Sequence, residues 1–100
     1  MKAIRKATFG KDKVVDVWEV SQTGAQPDWV KVNFDKKAFQ WDGKQVKCLM
    51  NVFKPSSGAT FVGGNIYGVL YAAISDFIDG DNGAILTAKK FAQKYEIVEE

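Results

Sequence analysis

The sequence predicts a single α+β domain, mainly antiparallel sheet with one or two short helices, and leaves open whether the sheet curls into a small barrel. Three observations predict it. Residues 14–20 read VVDVWEV, a β-branched run with apolar side chains at both parities. Asp42-Gly43 sits between two alternating apolar runs, the strongest short-range signal for a hairpin. Residues 74–96, ISDFIDGDNGAILTAKKFAQKYE, put an Asp-Gly-Asp-Asn-Gly turn between short apolar runs and end in an amphipathic segment with Phe91 and Tyr95 four residues apart. At 100 residues with 46% apolar side chains, the chain suffices for one domain with a real core and no more.

The elements follow in order. Ala3–Phe9 alternates, Gly10–Lys13 is a four-residue loop, and Val14–Val20 completes a first hairpin. In the second arm Val15 and Val17 share one face while Trp18 and Val20 share the other, so this strand is expected inside the sheet. Ser21–Asp28 is a loop. Residues 29–34 suit either a short helix, with Pro27 in its first turn, or a strand through Val30, Val32 and Phe34. The fixed φ of proline tips the reading toward a helical turn.

Phe39 and Trp41 lead into the Asp42-Gly43 turn, and Lys44–Phe53 returns with Val46, Cys48, Met50 and Val52 on one face. Lys54–Gly58 is expected as an exposed loop, Ala59–Val62 as a short strand, and Gly63–Asn65 as its break. Ile66–Ile78 is open by periodicity alone. Leu70, Ala73, Ile74 and Phe77 form a helical stripe, yet the Ile, Val and Tyr content suits a strand. A final helix over Ala88–Lys94 would set Phe91 and Tyr95 on the sheet, with Ile97 and Val98 in a closing edge strand. The expected core is Val15, Val17, Trp18, Phe39, Val46, Cys48, Met50, Ile74, Phe77, Ile85, Phe91 and Tyr95.

Composition excludes several chemistries. There is no histidine, so serine–histidine and cysteine–histidine nucleophiles are impossible and the commonest metal ligand is missing. The one cysteine, Cys48, can neither form an intramolecular disulfide nor hold zinc alone, and it reads as a small buried apolar group. The acidic turn Asp76, Asp79, Asp81, Asn82 fails the EF-hand pattern, because position 12 counted from Asp79 is Lys90. Gly63-Gly64 lacks the ending of a phosphate loop. The acids lie mostly in turns and at the termini, and nothing pairs two of them for catalysis. No cofactor and no metal are expected. No segment has signal-peptide or membrane-helix character, so a cytoplasmic protein with no membrane association is expected.

Charge is uneven. Residues 1–54 hold 11 Lys or Arg against 6 Asp or Glu, and residues 55–100 hold 3 against 6. The basic half also carries Trp18, Trp29 and Trp41. Tryptophans interleaved with lysines can stack bases and track phosphates, which makes Trp29, Trp41, Lys31, Lys36, Lys37 and Lys44 candidate contacts for nucleic acid or a protein partner. The structural alternative is that the tryptophans build the core and the lysines solvate the surface.

Ser75-Asp76-Phe77-Ile78, then Asp81-Asn82-Gly83-Ala84-Ile85, then Phe91–Glu96 (FAQKYE) follow in order near the C-terminus. Met1-Lys2-Ala3-Ile4-Arg5-Lys6 precedes the Val-rich run, and Pro27-Asp28-Trp29 lies between. This series resembles small uncharacterised bacteriophage and prophage proteins, which start like MKxRKK and end like GDYI, an NGE turn and FxxxYE. Here Ser75 stands for the glycine, Phe77 for the tyrosine and Ala84 for the glutamate, and residues 44–65 have no counterpart. The resemblance implies a strand entering a tight turn at Ile74–Ile78 and a phage or prophage origin. It implies no activity and no catalytic residue. The expected function is a non-catalytic accessory protein that binds a protein partner, such as a modulator or inhibitor of a host system. The alternative is a nucleic-acid-binding module using the basic half.

Overall fold

A computed structural model describes residues 1–54 and 68–99. The loop, strand and glycine break expected between Pro55 and Asn65 lie outside the described residues. The elements are β1 (Lys2–Arg5), β2 (Lys13–Glu19), α1 (Asp28–Asp35), β3 (Phe39–Asp42), β4 (Gln45–Leu49), α2 (Met50–Phe53), β5 (Val69–Ala73), β6 (Phe77–Asp79), β7 (Ile85–Leu86), α3 (Ala88–Lys94) and β8 (Tyr95–Glu99). They form one α+β domain with a five-stranded sheet, β7-β6-β2-β1-β8, and a three-stranded sheet, β3-β4-β5. Every strand pair is antiparallel. The described strands do not close into a barrel. The chain leaves the first sheet after β2, builds the second from β3 to β5, and re-enters the first at β6.

β2 is interior, between β1 and β6, and its two parities build two cores. Val15 and Val17 face Ala3, Phe77, Leu86, Phe91 and Tyr95. Trp18 and Val20 face Val30, Phe39, Val46, Cys48 and Ile78. Apolar side chains at both parities therefore reflect a strand covered on both faces. Over the first face α3 stacks Phe91 on Phe77 at 3.9 Å and on Tyr95 at 4.8 Å between ring centroids. Its start is capped by Thr87, whose hydroxyl accepts from the Lys90 N–H at 3.3 Å. Over the second face, Phe39 lies among Trp18, Trp29, Phe34 and Phe53.

Local chemistry explains the turns. Asp42 pairs with Gln45, which leaves Gly43-Lys44 as a two-residue loop. Gly43 has φ 63° and Lys44 does not have positive φ, the pattern of a II′ turn that matches strand twist. Pro27 stands one residue before α1, and its carbonyl accepts from the Val30 and Lys31 N–H groups at 3.0 and 3.1 Å. Gly80 has no such φ requirement but is closely packed. A Cβ there would lie 3.1 Å from both the Asp16 carbonyl oxygen and the Trp29 ring.

Several expectations are corrected. β1 ends at Arg5, not Phe9, because Arg5 pairs with Lys13; residues 6–12 form a wide loop in which Asp12 accepts from the Ala7 N–H at 2.8 Å. β4 ends at Leu49, and Met50–Phe53 turn into a third helix, α2, so Val52 leaves the strand face. Ile66–Ile78 is not one element. Its described part is β5, a turn, and β6. Ile74 is exposed instead of buried because it lies in that turn, and Ile85 is only half-buried on a short edge strand.

The β5–β6 turn closes with the Asp76 N–H donating to the Ala73 carbonyl at 2.9 Å and carries Ser75 at φ 76°. This is the third position of a type II turn, where glycine is favoured. Lys37, just past α1, has φ 66° for the equivalent reason at a helix C′ position. Ser75→Gly and Lys37→Gly should each stabilise the domain by about 0.5–1 kcal/mol, the left-handed penalty less the chain entropy of glycine. Urea midpoints higher than wild type would show it; unchanged or lower midpoints would refute it.

Candidate functional site

The six residues singled out in the sequence lie on α1, its exit, β3 and the β3–β4 loop. Lys31 is exposed on α1 between Asp28 and Asp35; Lys36 and Lys37 follow the helix; Lys44 is in the hairpin loop. Acids thus alternate with these lysines. The tryptophans are committed to protein rings. Trp29 stacks on Phe53 at 6.2 Å and meets Phe39 edge-on, and Trp41 stacks on Phe34 at 5.9 Å and meets Trp18 edge-on. Trp41 keeps 37% of its surface exposed, and Trp29 is half-buried with its indole N–H unpartnered among the described residues.

A different cluster, invisible in the sequence, crosses the first sheet. Asp79 is fully buried at the end of β6. One carboxylate oxygen accepts from the Arg5 guanidinium at 2.7 Å and from the Tyr95 hydroxyl at 2.6 Å. The other accepts from the Asp81 and Asn82 N–H groups at 2.7 and 3.2 Å. Arg5 forks, its second nitrogen reaching Asp81 at 2.9 Å, and Lys13 meets the other oxygen of Asp81 at 3.0 Å. Burial alone would lower the pKa of Arg5, but the hydrogen bonds to Asp79 and Asp81 outweigh it and hold the guanidinium above its usual range. Hydrogen bonds from Lys13 and then Arg5 lower the Asp81 carboxyl. Burial, reinforced by Asp79, pushes the Tyr95 hydroxyl up to about 12.

Asp79 is thus buried although it lies at a turn, while Asp81 and Asn82 beside it stay exposed. Residues 5, 79 and 95 are far apart in sequence, and only the pairing of β1 with β8, and of β2 with β1 and β6, brings them together. The one signal available was Tyr95 at the end of an amphipathic segment. The acidic turn is a hairpin between β6 and β7, but of its Asp, Asn and Gly residues only Gly83 adopts positive φ, at 78°; Asp79 and Asn82 instead accept from backbone N–H groups. Among the described residues, no group of three or more acids or cysteines could hold a metal ion. Cys48 is buried as expected, and burial pushes its thiol up to about 12, far from a reactive thiolate.

A concave feature lies between the two sheets. A groove of about 480 Å3 runs between β5 and the β6–β7 hairpin, lined by Met50, Leu70, Tyr71, Ala84 and Ile85. Val69, Leu70 and Tyr71 are consecutive and exposed at 37%, 45% and 46%. Lys47, opposite Tyr71 on β4, and Lys54, beside Gly83, flank this region, and neither makes an ion pair with a described residue. No helix among the described residues is long and apolar enough to cross a membrane. No family model, curated protein or solved structure matches the chain.

Proposed function

We propose that this chain is a non-catalytic, cytoplasmic binding module of the phage or prophage accessory type, which docks an apolar segment of a partner protein, flanked by acidic residues, in the groove beside β5. The observation that carries the reading is the exposure of Leu70 and Tyr71 along an apolar groove, next to the exposed Val69 on the same strand. Single exposed apolar residues are ordinary; large exposed apolar side chains lining a concavity are the character of an interaction surface. Lys47 and Lys54 supply the complementary charge that favours acidic flanks on the partner. The absence of histidine, the inert thiol of Cys48 and the full engagement of Asp79 favour binding over catalysis. Nucleic-acid binding through Trp29 and Trp41 has less support, because both rings already stack on protein aromatics.

The test is affinity capture from bacterial lysate with wild type and Leu70→Asp side by side. Wild type should retain a specific protein that Leu70→Asp loses at least tenfold, about 1.4 kcal/mol of binding. Circular dichroism should show the variant folded. Equal capture by both, or no specific capture by wild type, would overturn the reading.

A further inference from the structure

A second cleft, which meets the groove beside β5 at Asn82 and Ala84 but is otherwise lined by different residues, opens on the face where the Asp79 network surfaces. Its volume is about 310 Å3, and its lining includes Lys6, Thr8, Asn82, Ala84, Leu86 and Lys94. That is the lower end of the size range of small-molecule sites. The Lys6 N–H donates to the Lys94 carbonyl at 3.0 Å, so the backbone fixes the two lysines as neighbours although 88 positions separate them in a chain of 100.

The charge balance makes this cleft cationic. Arg5 also lines it; Asp12 accepts from the Ala7 N–H between the lining residues Lys6 and Thr8, and Asp79 and Asp81 belong to the adjoining network. The two network acids are already engaged. Asp79 accepts from Arg5, Tyr95 and two backbone N–H groups, and Asp81 accepts from Arg5 and Lys13. Lys6 and Lys94 make no ion pair with any described residue. Two like charges on neighbouring backbone positions, with no counter-ion among the described residues, favour an anion between them. Thr8 and Asn82 add a hydroxyl and an amide that can donate to oxygen, while Ala84 and the nearly buried Leu86 offer an apolar wall.

We propose that this cleft binds a small organic oxyanion, a phosphate ester or a carboxylate, with its charged head on Lys6 and Lys94 and its apolar part against Ala84 and Leu86. Lysine acts here as a point charge, so either head group is accommodated, and the second, apolar contact selects an organic ligand over a bare ion.

The test is titration of the full chain with phenyl phosphate, benzoate and inorganic phosphate, followed by backbone amide chemical shifts. Phenyl phosphate or benzoate should give saturable shifts centred on residues 5–8, 82–86 and 94–95, and whichever binds more tightly names the head group. The better of the two should bind more tightly than inorganic phosphate. Lys6→Glu with Lys94→Glu should weaken it at least about tenfold, and both sites are exposed, so the fold is retained. Leu70→Asp should leave it unchanged, which separates this site from the groove. Shifts scattered over other lysines, equal binding by the double variant, or no saturable shift would overturn the proposal.

Discussion

Asp79→Ala should destabilise the domain by about 3–5 kcal/mol, the cost of removing one member of a buried, hydrogen-bonded charge pair. The variant leaves the Arg5 guanidinium facing a site built for a carboxylate, and it removes the acceptor of the Tyr95 hydroxyl at 2.6 Å. It also frees the Asp81 and Asn82 N–H groups, which shape the β6–β7 turn. Against a total stability of about 5–15 kcal/mol for a domain of this kind, the loss is large. Urea unfolding should show a lower midpoint at unchanged slope. Asp81→Ala provides the contrast. That carboxylate is about one-third exposed and pairs with an exposed Lys13, so its loss should cost no more than about 1 kcal/mol. Equal midpoint shifts for the two variants would refute the central role of Asp79.

Phe39→Ala should cost about 3–5 kcal/mol by the loss of buried area and the cavity left behind. Phe39 is 1% exposed, and its ring centroid lies 4.7 Å from that of Phe53, 5.7 Å from Phe34 and 6.5 Å from both Trp18 and Trp29. Four aromatic neighbours cannot all relax into the space of one ring, because interiors are close-packed. Two indoles border the cavity, so near-ultraviolet circular dichroism should weaken along with the unfolding midpoint. Trp41→Phe, at the exposed rim of the same cluster, should cost about 1 kcal/mol or less. A midpoint for Phe39→Ala within that smaller range would show that this aromatic cluster is not the organising core.

The two predictions mark how far the sequence reaches. Phe39 was legible as core because alternation and size point inward whatever the topology. Local pattern likewise marks β2 as a central strand, α3 over the residues where it is observed, and the β3–β4 hairpin, whose two-residue turn is Gly43-Lys44 instead of Asp42-Gly43. It misplaced Ile74, because a stripe of apolar residues does not reveal where the chain must turn to change sheets. It placed Trp29 and Trp41 as candidate contacts, and their rings pack mainly on other aromatics.

Asp79 was not legible. A carboxylate in an Asp-Gly-Asp-Asn-Gly stretch reads as a solvated turn, and its burial depends on an arginine 74 residues away and a tyrosine 16 residues away. The clefts share that dependence, since Lys6 meets Lys94 only through the seating of β8 against β1. Fold class, most local elements, part of the aromatic core and the lack of histidine chemistry are legible in the chain. Those follow from periodicity, turn chemistry and composition, which act over a few residues. Tertiary contacts set which strands share a sheet, that the described strands form two sheets instead of a barrel, where one carboxylate is buried, and where Lys6 meets Lys94. Those outcomes depend on contacts between residues distant along the chain, and local pattern carries no record of them.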